Sequence, residues 1–123
     1  MTAERQKFGE SAESRAAGFL KKKGYEILKR NYTTKYGEID IIAKEKDTIV
    51  FVEVKARKPG KYANPKAAVT RAKQRKISIV ALCYLKKNNQ TQSRARFDVV
   101  AISSAEDGEK IELVKNAFEL AFG

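Results

Sequence analysis

Histidine and tryptophan are absent from this 123-residue chain, and cysteine and methionine occur once each. Without histidine there is no Ser-His-Asp or Cys-His triad and no His-ligated zinc site. A single cysteine, Cys83, excludes an intrachain disulfide and any Cys-rich zinc or iron–sulfur centre. A lone helix cysteine reads as inert core. No apolar run approaches the roughly 20 residues of a membrane span, so no membrane partner is expected. Met1 to Glu10 is charged where a signal peptide would be apolar. These absences point to a cytoplasmic, reducing compartment. They leave carboxylates, lysines, tyrosines and a metal to carry any catalysis.

Acids are missing from one long stretch. Val54 to Phe97 contains no Asp or Glu, yet it holds 13 of the 26 Lys and Arg. The other 13 face all 15 acids, so the net charge of +11 arises in this stretch alone. An ordinary solvated face interleaves both signs. One-signed charge of this density suits a polyanion such as nucleic acid.

The size is that of one domain over residues 1–123, large enough to bury a core. Arg5 to Lys23 reads as a helix with Phe8, Ala12, Ala16, Phe19 and Leu20 on one face, closed by Gly24. Glu26 to Thr33, Tyr36 to Lys44 and Thr48 to Ala56 read as strands, the last two joined by a turn at Glu45-Lys46-Asp47. Arg57 to Pro65 holds both prolines and reads as a loop. A long helix is expected from Lys66 to about Lys87, with Val69, Ala72, Ile77, Val80, Cys83 and Tyr84 inward. Strands over Arg96 to Ser103 and Lys110 to Val114 precede an irregular or helical tail, Asn116 to Phe122. The order α-β-β-β-α-β-β implies an α/β fold with a mixed sheet flanked by helices.

Strand side chains alternate, so Glu38, Asp40 and Ile42 share one face, and Ile39, Ile41 and Ala43 the other. On the next strand Val50, Val52 and Val54 oppose Phe51, Glu53 and Lys55. Asp40 falls opposite or diagonal to Glu53. Acids within Ile/Val-rich strands are costly unless they are paired or bound to a cation. Two carboxylates with a carbonyl or water suit Mg²⁺ or Mn²⁺. An ion pair of Lys55 with Asp40 or Glu53 on a solvated face is the competing reading. Glu13 flanks the apolar stripe of the first helix and is a third candidate acid, though such a position is also an ordinary solvated one. Lys73 falls on the apolar stripe of the long helix, either snorkelling or facing a phosphate-binding cleft. Gln74 beside it is a weak candidate for a water or phosphate contact. Tyr32, Tyr62 and Tyr84 could stack on bases, with core packing favoured for Tyr32 and Tyr84.

Gly37-Glu38-Ile39-Asp40-Ile41-Ile42-Ala43 and Val50-Phe51-Val52-Glu53-Val54-Lys55-Ala56-Arg57 resemble the signature of the YraN-type family of small bacterial proteins. Glu13 before Ala16-Ala17, Gly24-Tyr25-Glu26-Ile27-Leu28, Val69 with Lys73, and Arg96-Phe97-Asp98-Val99-Val100 extend the likeness along most of the chain. Ala12 departs from the glycine usual before the helix acid. The family is similar in turn to D…ExK nucleases with a restriction-endonuclease-like fold, archaeal Holliday junction resolvases among them. Here that element is Asp40, twelve intervening residues, then Glu53-Val54-Lys55. The resemblance implies Mg²⁺ (or Mn²⁺) held by Asp40, Glu53 and the Val54 carbonyl, with Glu13 as the helix-borne acid. It implies Lys55 beside the metal and leaves Glu38 without a clear role.

The resulting expectation is a metal-dependent endonuclease acting on branched or structured DNA. Arg57, Lys58, Lys61, Lys66, Arg71, Lys73 and Lys76 would hold the phosphate backbone without reading bases. A resolvase-like role would favour a symmetric homodimer. The alternatives are a non-catalytic nucleic-acid-binding accessory protein and a basic membrane-surface or ribosome-associated protein. The last leaves the strand carboxylates without a purpose.

Overall fold

A computed structural model describes residues 3–57, 69–105 and 108–119. Helix α1 (Ala3–Lys22) is followed by strands β1 (Glu26–Thr34), β2 (Gly37–Glu45) and β3 (Thr48–Arg57). Helix α2 (Arg71–Lys87) then leads to β4 (Arg94–Ala105) and β5 (Gly108–Phe118). The five strands form one sheet in the order β1-β2-β3-β4-β5. β3 and β4 are parallel and the other pairs antiparallel. α2 supplies the crossover that a parallel pair requires. This is the mixed α/β sheet and element order expected from the sequence.

Local chemistry accounts for the element ends. Gly24 has φ +96, and Tyr25 N–H donates to the Leu20 carbonyl while Gly24 N–H donates to that of Lys21. That double bond ends α1 with glycine in the left-handed position. Lys46, also left-handed, lies in the tight β2–β3 turn, where Glu45 pairs with Thr48. α2 begins five residues later than expected, because Thr70 caps it: its hydroxyl accepts the Lys73 N–H at 3.2 Å.

Each helix covers one face of the sheet. α1 packs Ala12, Ala16, Ala17 and Leu20 against Ile41, Ala43, Val50, Val52 and Val100. α2 packs Ile77, Val80, Ala81, Tyr84 and Leu85 against Ile42, Phe51, Phe97 and Val99. Each fully buried Phe, Leu, Ile or Val contributes roughly 1.5–3 kcal/mol. Ala72 is exposed and Cys83 only half-buried, so neither is the core residue expected.

Two departures from strict alternation matter. Ile39 buries with the α2 cluster and not beside Ile41. The reason is that the β2–β3 ladder ends at the pair Ile41–Val52, so β2 is free to turn at Asp40. β5 continues to Phe118 where an irregular tail was expected. A bulge around Asn116 (φ 53) absorbs the extra residues, and Phe118 then stacks on Phe97 with ring centroids 4.7 Å apart.

Candidate metal centre

The site forms where β2 and β3 separate. Past the last ladder pair, the Asp40 carboxylate accepts the Val54 N–H at 2.8 Å. A side chain thus takes over a backbone group of β3, which anchors Asp40 beside Glu53. Glu53, on the α2 face of β3, is 6% exposed. Its Oε1 lies 2.6 Å from Lys73 Nζ and 3.6 Å from Lys55 Nζ. The strand-borne trio Asp40, Glu53 and Lys55 is therefore together, and Lys73 joins it from α2.

The electrostatics are those of two acids sharing one poorly hydrated space. Burial pushes the Asp40 carboxyl up to about 7. Repulsion from Glu53, a hydrogen bond shared with it, and the charge of Glu13 act in the same direction, while the Val54 N–H opposes them. Lys73 is held above its ordinary value: burial works against its charge, and the bond to Glu53 outweighs burial.

Glu13 is half-buried on α1 and is felt at Asp40 through its charge. Among the described residues, however, no three acids or thiols gather closely enough to form a complete protein ligand set. The structure brings two carboxylates together, with Glu13 outside the pair, because α1 covers the face opposite α2. Two adjacent acids at one spot still fit a divalent cation, since Mg²⁺ keeps several waters and takes one or two carboxylates.

The pair opens into a cleft of about 360 Å³ whose walls include Gly37, Glu38, Thr70, Lys73, Lys76 and Ile77. Glu38 is exposed and accepts a hydrogen bond from Thr33, which places it on the rim. Arg71 and Lys76 are exposed at the start of α2. The Arg57 side chain, Lys58, Lys61, Tyr62 and Lys66 lie outside the described residues. Gln74 does not face the cleft as a free donor, because its amide bonds the Val69 carbonyl at 3.0 Å. Tyr32 and Tyr84 meet edge to face at 5.4 Å in the α2-side core. Among the described residues, Tyr36 is the exposed tyrosine instead, 49% accessible on the β1–β2 turn next to Gly37.

A second buried acid went unassigned in the sequence. Asp98 is fully buried. It accepts from Arg96 Nε at 3.0 Å, Tyr25 Oη at 3.1 Å and Asn116 N at 2.9 Å. Arg96 also bonds Glu45 at 2.6 Å, and Lys115 reaches Glu45 at 3.1 Å. Burial, followed by the negative Asp98, pushes the Tyr25 hydroxyl up to about 12. The signal for this centre in the sequence is the family motif residues Tyr25, Arg96 and Asp98, without an indication that they meet.

Comparison with known proteins places this architecture. A sequence model of the "Uncharacterised protein family UPF0102" matches residues 12–102, a span that includes Glu13, Asp40, Glu53, Lys55, Lys73 and Asp98. A UPF0102 protein of Desulfosudis oleivorans is 50% identical over 119 residues, covering 97% of this chain and 95% of the relative. One from Syntrophus aciditrophicus is 51% identical over 115 residues, covering 94% and 91%. Another from Geobacter metallireducens is 46% identical over 122 residues, covering 99% and 100%. The chain belongs to the uncharacterised protein family UPF0102, the YraN-type family whose motifs run through Asp40 and Glu53.

Proposed function

We propose that this protein is a Mg²⁺- or Mn²⁺-dependent endonuclease that hydrolyses phosphodiester bonds of branched or structured DNA. The observation that carries the reading is the pair of half-buried Asp40 and buried Glu53 at the edge of a cleft whose other wall is the basic start of α2. Glu53 raises the proton affinity of Asp40, and two such adjacent carboxylates repel phosphate and weaken the fold. Such an arrangement calls for a cation to offset it.

Asp40 and Glu53 would hold that cation. When bound, it would activate water and neutralise charge on the phosphate. Asp40 must release its proton to serve, so metal uptake is expected to release protons near neutral pH. Lys55, beside Glu53, is placed to stabilise charge developing on the phosphate. Lys76 and Arg71 supply contacts for backbone phosphates, which give affinity without sequence preference. A DNA substrate suits a cytoplasmic location, as does the free thiol of Cys83.

Four-way junction, flap and duplex DNA incubated with the protein in Mg²⁺, Mn²⁺ or EDTA test the reading. Cleavage that requires metal and is lost in Asp40→Ala and Glu53→Ala is the expected result. Cleavage that survives both substitutions, or none on any substrate, overturns it. One observation favours a second reading, a binding protein that keeps the fold without cutting. The Lys73 bond already neutralises Glu53 without a metal. That reading predicts salt-sensitive DNA binding without nicking, undiminished in Asp40→Asn and Glu53→Gln.

A further inference from the structure

Lys73 and Lys55 both reach Glu53 Oε1, yet they are held in different ways. Lys55 extends from β3 itself, two residues from Glu53, and stands at 3.6 Å. Lys73 comes from the first turn of α2 and makes the close contact, 2.6 Å. Its backbone is fixed by the Thr70 cap, while its side chain remains 43% exposed along the cleft wall. A lysine is a compact charge on a flexible four-carbon stem, so the ammonium can move several ångströms while the helix stays in place. Arg96 at the Asp98 centre is the contrast. Only 19% of its side chain is exposed, and two carboxylates hold it.

A buried carboxylate needs a counter-charge at all times, because removing one partner leaves an uncompensated charge. Of the two ammoniums, that of Lys73 is within hydrogen-bond distance of Glu53 and that of Lys55 stands farther off, so one close positive charge faces a pair of acids that needs two to be fully ionised. Lys73 also occupies one of the two carboxylate oxygens through which Glu53 would hold a divalent cation. We propose that Lys73 is a tethered stand-in for the metal. It neutralises Glu53 in the metal-free protein, yields that oxygen when a divalent cation binds, and then presents its ammonium to phosphate in the cleft. The inference rests on the metal reading of the Asp40–Glu53 pair and assigns Lys73 a competitive role within it. It also explains why a lysine stands on the apolar stripe of α2 at the one turn that faces the cleft and not the core.

The test follows the amine and the metal separately. In ¹⁵N-lysine-labelled protein, the Lys73 ammonium signal, assigned by its loss in Lys73→Arg, should be protected in EDTA. It should shift or broaden on titration with Mg²⁺ but not with NaCl of equal ionic strength. By calorimetry, Lys73→Met should bind Mn²⁺ about tenfold more tightly than wild type, since its competitor is gone. Lys73→Arg should stay within about threefold of wild type, since it keeps the charge. In EDTA, Lys73→Met should melt below wild type, and saturating Mn²⁺ should remove the deficit. Mn²⁺ affinity that is unchanged or weaker in Lys73→Met overturns the inference while leaving the metal site standing. No Mg²⁺ or Mn²⁺ uptake by wild type overturns both. Should Lys73→Met fail to fold, the ammonium titration of wild type decides, and a signal unmoved at saturating Mg²⁺ overturns the proposal.

Discussion

Asp98 and the Asp40–Glu53 pair are two acidic centres in the same five-stranded sheet, one fully buried and the other buried at Glu53 and half-buried at Asp40, and they are built in opposite ways. Asp98 accepts four hydrogen bonds from three residues, two from the guanidinium of Arg96, one from the hydroxyl of Tyr25 and one from the N–H of Asn116. Arg96 is held above its ordinary range because its bonds to Asp98 and Glu45 outweigh its burial, and its hydrogen bond holds Glu45 below the usual carboxylate range. Charge and hydrogen-bonding capacity there are closed on themselves. At the other centre two carboxylates face each other, one is driven towards its neutral form, and the counter-charge is a half-exposed lysine in a cleft. A closed buried network specifies the fold, while one whose acids repel each other beside a cleft invites a ligand. What separates the two centres is how completely the acid is paired, since each holds a buried carboxylate, Asp98 in one and Glu53 in the other.

The largest effect expected from breaking this contrast is at Asp98. Asp98→Ala leaves Arg96 with one carboxylate, Tyr25 without its acceptor and the β5 bulge without its anchor. Loss of one partner of a buried ion pair costs about 3–5 kcal/mol, measurable by urea unfolding. Metal uptake by whatever protein stays folded should be unchanged. A loss below about 1 kcal/mol would show that the Asp98 network is not the stabilising centre that its bonding implies.

Asp40→Asn and Glu53→Gln should do the reverse, sparing the fold and removing the proposed nuclease activity. Each keeps the shape and a hydrogen-bonding oxygen, and each relieves the repulsion within the pair. Metal-dependent cleavage should fall roughly a hundredfold or more, the scale seen when one charge-stabilising group is lost. Unfolding in EDTA should occur at the same or higher urea concentration than in wild type. Variants that unfold more easily while still cutting DNA would erase the distinction between the two centres.

The pairing difference also sets a pH dependence. The Asp40 pKa is raised in the fold from 3.8 to about 7, so the protonated form is the one that the fold favours. Its stabilising contribution is full below about 3.8 and is lost as pH rises through about 7. Metal-free wild type should therefore lose about 2–3 kcal/mol relative to Asp40→Asn between about pH 5 and pH 8. Urea unfolding of both proteins across that range measures the difference. A flat difference would mean that Asp40 is not under the stress that its neighbours impose.

Much of this was legible in the chain. The alternation of Val50, Val52, Phe51 and Glu53 revealed both faces of β3, and the spacing from Asp40 to Glu53 across one tight turn placed the two acids together. Lys73 was conspicuous as a charge on an apolar stripe, which marked it as unusual without showing that Glu53 was its partner. That pairing depends on how α2 crosses the sheet, which no local pattern encodes. The Asp98 centre was harder still, because Tyr25, Glu45, Arg96 and Asn116 are spread over more than ninety positions and meet only after the strands are ordered. The extension of β5 was hidden for a related reason. Asn116 breaks the alternation, and the N–H that it exposes is taken by a side chain on the neighbouring strand.

The smallest effect, and the sharpest test of location, concerns two exposed lysines. Lys76 lines the cleft, while Lys115, 52% exposed, bridges to Glu45 beside the Asp98 network. Neither side chain is buried, so each alanine variant should cost less than about 1 kcal/mol in stability. They should part in DNA binding. Loss of one phosphate contact weakens binding about equally across sequences and lowers the salt slope by about one. Lys76→Ala should show both signs on junction DNA in EDTA, and Lys115→Ala neither. Because the two substitutions remove the same charge from the same net +11, any difference between them reports position alone. Equal losses would mean that DNA is held by diffuse positive charge over the whole surface, and the cleft would have no special claim to the phosphate backbone.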